Sequence, residues 1–329
     1  MIGLIFTLDY ELYGDGSGNL KDLVLEPADI LLEKFAEHSA PLVIFVEAAE
    51  FELIDKYKTD ADIDLIQRQI GMAYKSGHEI GLHIHPQWYR ATRNNERWIV
   101  DRSEYNLCRL ADERIREIVK RAISYLRNIL GDPNYAPVSF RAGNWLFQPT
   151  QPAARILYEC GIRIDSSIFK GGQFKEYAVD YRRLPKNRYY WRFEEDVVKE
   201  NAAGKMLEIP IYSRMVPFWQ MITKKRLQFE KGKESGPIHN DKWRNIKKFL
   251  RLRYPKKLDF CRMTERELKE MIEEILKEDR KSASGYKPIV AIGHTKDLID
   301  VGSVEFLLKY LFDNRIPVNT FRQIYNRLT

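Results

Sequence analysis

Short, nearly continuous apolar runs alternate along this chain with longer stretches in which apolar residues recur every three or four positions. The first pattern predicts strands buried on both faces, the second predicts helices that cover them. Strands are expected at 2–8, 42–47, 79–85, 138–144, 162–167, 206–212, 288–294 and 317–321. Helices are expected over Pro27 to His38, Asp60 to Lys75, Arg102 to Leu130, Pro152 to Cys160, Thr264 to Glu278 and Ser303 to Phe312, with another at the C-terminus. Pro27 suits a first helical turn, Gly77 and Gly131 suit helix ends, and Thr264 with Glu267 has the spacing of a capping box. Such alternation argues for a parallel sheet wrapped by helices, and about seven strand–helix units argue for closure into a barrel.

Polar residues gather where the predicted strands end: Asp9 and Glu11, Glu47, His83 and His85, Arg141 and Asn144, Asp165, and His294. Barrel enzymes build their sites on that rim. The stretch GHEIGLHIHPQW, from Gly77 to Trp88, carries three of the six histidines, and strand alternation sends His83 and His85 to one face. Two imidazoles projecting together from a strand are good ligands for a borderline divalent ion such as Zn²⁺, provided a carboxylate reaches them. Asp9 and Glu11 alternate in the same way, so both can face one cavity.

Composition narrows the class. No run approaches the length of a membrane span and no basic leader precedes the first strand, so a cytoplasmic protein, peripheral to the membrane at most, is expected. Cys108, Cys160 and Cys261 are widely spaced and fit reduced thiols, the first two in apolar helical patterns. Charge is uneven: 221–258 holds 13 Lys or Arg against Glu230, Glu234 and Asp241, a surplus of +10, so the rest nets −3 within a total of +7. That argues against a generic nucleic-acid binder, which is basic over its core. The basic segment, with Trp219, Phe229, Trp243, Phe249 and Tyr254 interleaved and a helix expected around Asp241 to Arg253, reads as an amphipathic lid or a contact for anionic membrane or polysaccharide.

Five motifs in order, TLDYE, GHEIGLHIH, SFRAGNW, IDSS and IGHTKD, resemble those of the polysaccharide deacetylase superfamily, the NodB-like carbohydrate esterases. The resemblance covers roughly 1–170 and 285–325 and leaves about 171–284 as a basic, helical insertion in a single domain spanning 1–329. It implies a distorted (β/α)7 barrel that uses Zn²⁺ or another divalent ion to remove acetyl groups from an acetylated saccharide, here in surface-polysaccharide metabolism. It also implies Asp9 as general base, His83 as metal ligand, Arg141 as the residue that positions the base, Asp165 as part of the pocket wall and charge network, and His294 as general acid. SFRAGNW adds Asn144 and Trp145 as candidate substrate contacts. Two positions depart from the pattern: Tyr10 stands where a metal-binding Asp is usual and Gln87 where the second histidine is usual. Either Glu11 and His85 take over as ligands or the barrel has lost its metal. Competing readings are a glycoside hydrolase pairing Asp9 with Asp165 or Glu47, and a non-catalytic barrel that binds sugar or polyanion.

Overall fold

The computed structural model describes residues 1–94, 97–221, 253–281 and 285–328. Its centre is one curled eight-stranded sheet, in the order β10-β11-β7-β6-β3-β2-β1-β14. These strands are β1 (Ile2–Tyr10), β2 (Val43–Glu47), β3 (Glu79–Ile84), β6 (Ser139–Ala142), β7 (Ile164–Asp165), β10 (Trp191–Phe193), β11 (Met206–Glu208) and β14 (Lys287–His294). All neighbours are parallel except β10 on β11. Beyond β11, Ile211 bridges both Phe169 and Val290, so the two ends of the sheet approach each other. Short antiparallel ribbons, β4 (Thr92–Asn94) with β5 (Arg97–Ile99), β8 (Gln173–Phe174) with β9 (Val179–Asp180), and β12 (Ser213–Pro217) with β13 (Arg253–Lys257), lie outside it.

Helices α1 (Glu26–Glu37), α2 (Ala48–Tyr57), α3 (Ile63–Lys75), α4 (Asp112–Leu130), α5 (Ala153–Glu159), α6 (Glu265–Lys281) and α7 (Val301–Asp313) accompany the sheet. Their apolar faces join the outward side chains of the strands in one core that includes Leu4, Phe6, Leu31, Phe35, Ile118 and Leu307. A second cluster, with Ile5, Val43, Phe45, Ile164, Leu207, Val290 and Ile292, fills the concave side. The alternation of Leu4 and Ile5, or Ile44 and Phe45, between the two clusters is the period-2 signature of strands buried on both faces.

Several boundaries differ from expectation. The expected strand at 317–321 is a single bridge, Val318 to Leu4, because Thr320 and Gln323 exchange capping hydrogen bonds and a terminal helix starts at Phe321. The long helix expected from Arg102 begins only at Asp112. Before it, Asp101 and Asn106 bind the backbone N–H groups of Ser103 and Cys108 and close two isolated 3₁₀ turns. Helix α2 has no forerunner in the pattern: Glu47 ends β2 and its carboxylate accepts from Ala49 N and Glu50 N, so strand passes to helix without a loop. The Thr264–Glu267 capping box forms as read. The stretch 171–284 is not laid outside the sheet as a block, since it contributes β10 and β11. The helix expected around Asp241 to Arg253, with most of the basic segment, lies outside the described residues. No helix among the described residues is long and apolar enough to cross a membrane. Cys108 and Cys261 are buried thiols and Cys160 is half-buried.

Candidate active site

The C-terminal ends of β1, β3 and β14 meet at one cavity of about 170 Å³. Parallel register sets Asp9 beside His294, Glu47 beside His83, and His83 beside Arg141. Asp9, Glu11, His83, His85, Asn144, Trp145 and His294 line the cavity, whereas Arg141 and Asp165 do not. Tyr10, between the two acids, points the other way and its hydroxyl bonds Gln69.

His83 Nε2 and His85 Nε2 each lie 3.1 Å from the same oxygen, Glu11 Oε2. The other oxygen, Oε1, accepts from Lys296 Nζ at 2.8 Å. Burial opposes ionisation of Glu11, yet the Lys296 ammonium and the two imidazoles hold its carboxyl well below the usual range. Burial also pushes the His83 imidazole down, but the hydrogen bond and charge of Glu11, with Asp9 and Glu47 beyond, raise it to about 9. One ligand atom from each of Glu11, Glu47, His83 and His85 falls within 4.8 Å of the others. Glu47, read from the sequence as a rim acid and as a glycosidase carboxylate, is not one of the metal ligands expected there. Its Oε1 caps α2 and its Oε2 accepts from His85 N at 2.7 Å, which ties the end of β3 to the helix.

The protons test whether a cation fits. His83 Nδ1 lies 2.8 Å from Arg141 O, a pure acceptor, so Nδ1 carries the hydrogen and the neutral ring presents a lone pair at Nε2. That lone pair faces a carboxylate oxygen, a meeting of two acceptors that needs a proton or a metal ion between them. Behind His85, Nδ1 lies 3.2 Å from the side-chain amide nitrogen of Gln87, whose own Oε1 is buried without a hydrogen-bond partner. Turning that amide places Oε1 on an Nδ1–H of His85, satisfies the orphan oxygen and frees the second Nε2 lone pair. The donor set N, N, O with satisfied outer partners therefore fits a divalent ion such as Zn²⁺. Gly143 makes the close packing possible, since a Cβ there would stand 2.7 Å from the His85 ring.

Beside this set, Arg141 is wholly buried and donates to Asp9 Oδ1 at 2.5 Å, Thr7 Oγ1 at 3.0 Å and Ser166 O at 2.9 Å. Asp9 Oδ2 is left facing His294 Nε2 at 3.3 Å. Burial, with Lys296, Arg262 and Lys257 adding to it against the pull of Glu11, holds the His294 imidazole well below its ordinary value. Asn144 and Trp145 both adopt positive φ, +56° and +57°, a costly pair of left-handed residues concentrated at the cavity rim. The turn brings Asn144 Nδ2 to 3.4 Å from His85 Nδ1 and sets the Trp145 ring edge-on to His294. Lys257 Nζ lies 3.2 Å from the centroid of the Trp145 ring, and burial lowers its amine to about 7.

Asp165 is elsewhere. It binds Ser167 N and Oγ, and Ser167 Oγ in turn accepts from Ala142 N. Across the β7–β11 pairing stands Glu208, fully buried and facing the Asp165 carboxyl without a basic side chain among the described residues hydrogen-bonded to it. Burial first, then the charge of Asp165, holds the Glu208 carboxyl well above its ordinary value, and burial raises Asp165 too. The folded state thus favours a protonated Glu208, and the stability tied to that proton is full below about pH 4.3 and lost as pH rises toward the folded pKa. Glu208→Gln, which cannot ionise, should gain stability over the parent increasingly as pH rises above about 4.3, by up to about 1.4 kcal/mol per pH unit. A stability difference that stays constant as pH rises from about 4 to neutral in urea denaturation refutes a protonated Glu208.

Arg262, Lys296 and, behind His294, Asp297 are site residues that the pattern did not reveal. Lys296 and Asp297 stand in IGHTKD beside His294, which is a usable signal in hindsight. Arg262 belongs to the stretch without counterpart and carries none.

No protein-family model matches the chain, and no curated protein matches it by sequence. Solved structures do match over nearly its full length. One from Mycobacterium smegmatis, assigned as a polysaccharide deacetylase, aligns at TM-score 0.55 and 14% identity, covering 99% of this chain and 89% of that one. The allantoinase PuuE aligns at 0.52 and 16%, covering 98% and 88%. A GH57 branching enzyme from Thermococcus kodakaraensis aligns at 0.53 and 11%, covering 99% and 71%. At these identities the likeness is one of fold, and the chain has the curled α/β architecture shared by deacetylase, allantoinase and branching enzyme.

Proposed function

We propose that the chain is a divalent-metal hydrolase that removes an acetyl group from an acetylated saccharide, on a distorted seven-stranded barrel formed by β1, β2, β3, β6, β7, β11 and β14. The observation that carries this reading is the convergence of His83 Nε2 and His85 Nε2 on one oxygen of Glu11, next to the Asp9–His294 contact. Glu11, His83 and His85 would hold the ion, which, when bound, polarises a carbonyl and acidifies water. Asp9, its other oxygen fixed by Arg141, accepts the proton of the attacking water at Oδ2. His294 Nε2, in contact with that oxygen, takes this proton from Asp9 and passes it to the leaving nitrogen or oxygen, so the imidazole starts and ends neutral. Asn144 and Trp145 bound the substrate on the rim. At about 170 Å³ the cavity is smaller than the ~300–1,000 Å³ of typical ligand pockets, which suits an acyl substituent with the sugar outside it. The paired-carboxylate alternative has less support, because Asp165 lies off the cavity and Glu47 spends both oxygens on backbone N–H groups.

The test is acetate release from acetylated oligosaccharides by the purified protein, before and after chelation and after return of Zn²⁺. Chelation should abolish turnover and zinc should restore it; an unchanged rate in the chelated protein overturns the reading.

Metal binding itself should depend on pH. With no ion bound, His83 keeps its proton up to about pH 9, and that proton must leave before Nε2 can ligate. Apparent zinc affinity should therefore climb by up to about tenfold per pH unit below about pH 9 and level off above it. Competition against a chromophoric chelator at a series of pH values measures this, and a flat affinity through neutral pH contradicts it.

A further inference from the structure

His294 works only if its ring is held with Nε2 toward Asp9 and the reacting bond, and the hold on a histidine is set by what meets its other nitrogen. Nδ1 lies 3.5 Å from Asp297 Oδ2 and makes no hydrogen bond in this arrangement. Asp297 is fully buried and needs a counter-charge to remain ionised. That charge is Arg262, whose Nη2 is ion-paired with Asp297 Oδ2 and whose Nε lies 3.8 Å from Asp259 Oδ2.

Arg262 arrives by a defined route. After β13 the chain runs along the free edge of β14: Leu258 N donates to Tyr212 O at 2.8 Å, Ile292 N to Leu258 O at 2.8 Å, and Phe260 N to Ile292 O at 3.0 Å. These bonds register the returning chain against β14 just before His294. The turn that follows is closed by Arg262 N on Asp259 Oδ1 at 3.1 Å.

We propose that Arg262 and Asp297 are positioning residues for His294, and hence that the returning chain at 258–262 is part of the reaction centre. The proposal rests on the role given to His294 above. Asp297 orients the imidazole, and Arg262 holds Asp297 ionised and in place while itself lining the cavity. The groups that face His294 are Asp9 from β1, Trp145 from the rim turn, Lys296 and Asp297 from its own loop, and Arg262 and Lys257 from the returning chain, with Glu11 further off.

The experiment uses the full chain with ring-¹⁵N-labelled histidine, assigning His294 by its loss in His294→Ala. Removing the Arg262 charge leaves the protonated imidazole as the counter-charge that keeps Asp297 ionised, so Arg262→Gln should raise the His294 titration midpoint by about one unit, with Arg262→Lys staying near the parent. In the zinc-loaded protein, Arg262→Gln and Asp297→Asn should each lower kcat for acetate release about 10–100-fold with KM little changed, and the double variant should be no worse than the poorer single one. Arg262→Lys should recover much of the loss. An unmoved midpoint in Arg262→Gln, or additive losses in the double variant, overturns the proposal. If the parent releases no acetate from any substrate, the deacetylase reading fails, and the titration arm still decides the positioning.

Discussion

His83→Ala is expected to empty the metal site and abolish turnover together, by about 10³-fold or more. Three observations set the size of that effect. His83 is one of three side chains whose ligand atoms meet, so its loss leaves a single imidazole and one carboxylate oxygen. Its Nδ1 also joins β3 to β6 through Arg141 O, so truncation loosens the strand that carries His85. And Glu11, deprived of one imidazole, remains paired with Lys296 through Oε1, which favours the metal-free arrangement. The contrast is His294→Ala, which touches no ligand: it should keep its zinc and lose about 10²–10⁴-fold in kcat. Metal per protein after gel filtration, read beside acetate release, separates the two. Stoichiometric zinc in His83→Ala would sink the assignment of the site.

What was legible in the residues followed from burial. Ile2–Tyr10, Val43–Glu47 and Lys287–His294 are neighbouring strands wholly buried, with apolar side chains on both faces, and such runs announce themselves. The common face of His83 and His85, and of Asp9 and Glu11, follows from the same alternation. Where regular strand stops, the signal stops. Helix α2 begins on the last residue of β2, with Glu47 serving both elements, so no turn residues marked it. Asp165 sits on a strand of two residues, too short for alternation to say which way it points, and it turns into the wall toward Ser167 and Glu208. Lys296, Asp297 and Arg262 stand on non-repetitive backbone, where no period relates sequence position to direction. Only the path of the chain along β14 puts Arg262 beside Asp297.

Arg141→Met should cost about 3–5 kcal/mol of stability, the largest loss expected from a single substitution in the site. Arg141 is wholly buried and meets Asp9, also buried, through a charge-assisted hydrogen bond. Removing the guanidinium leaves an aspartate without its counter-charge and strips donors from Thr7 Oγ1 and Ser166 O. Packing alone cannot account for the loss, since methionine can still fill the space over the Phe45 ring on which the guanidinium rests. Arg141→Lys keeps the charge but not the fork, and should fall between the two. The decisive comparison is the double variant with Asp9→Asn, which takes away both charges and should recover part of the stability lost in Arg141→Met alone. The His83 Nδ1 contact is with the Arg141 backbone carbonyl, which the substitution leaves in place, so zinc should still bind while turnover falls with the misplaced base. Urea denaturation of the parent, Arg141→Met, Arg141→Lys, Asp9→Asn and the double variant, with metal content measured on each, tests every step. Stabilities that merely add, or a variant that turns over at the parent rate, would show that Asp9 is held by something other than Arg141.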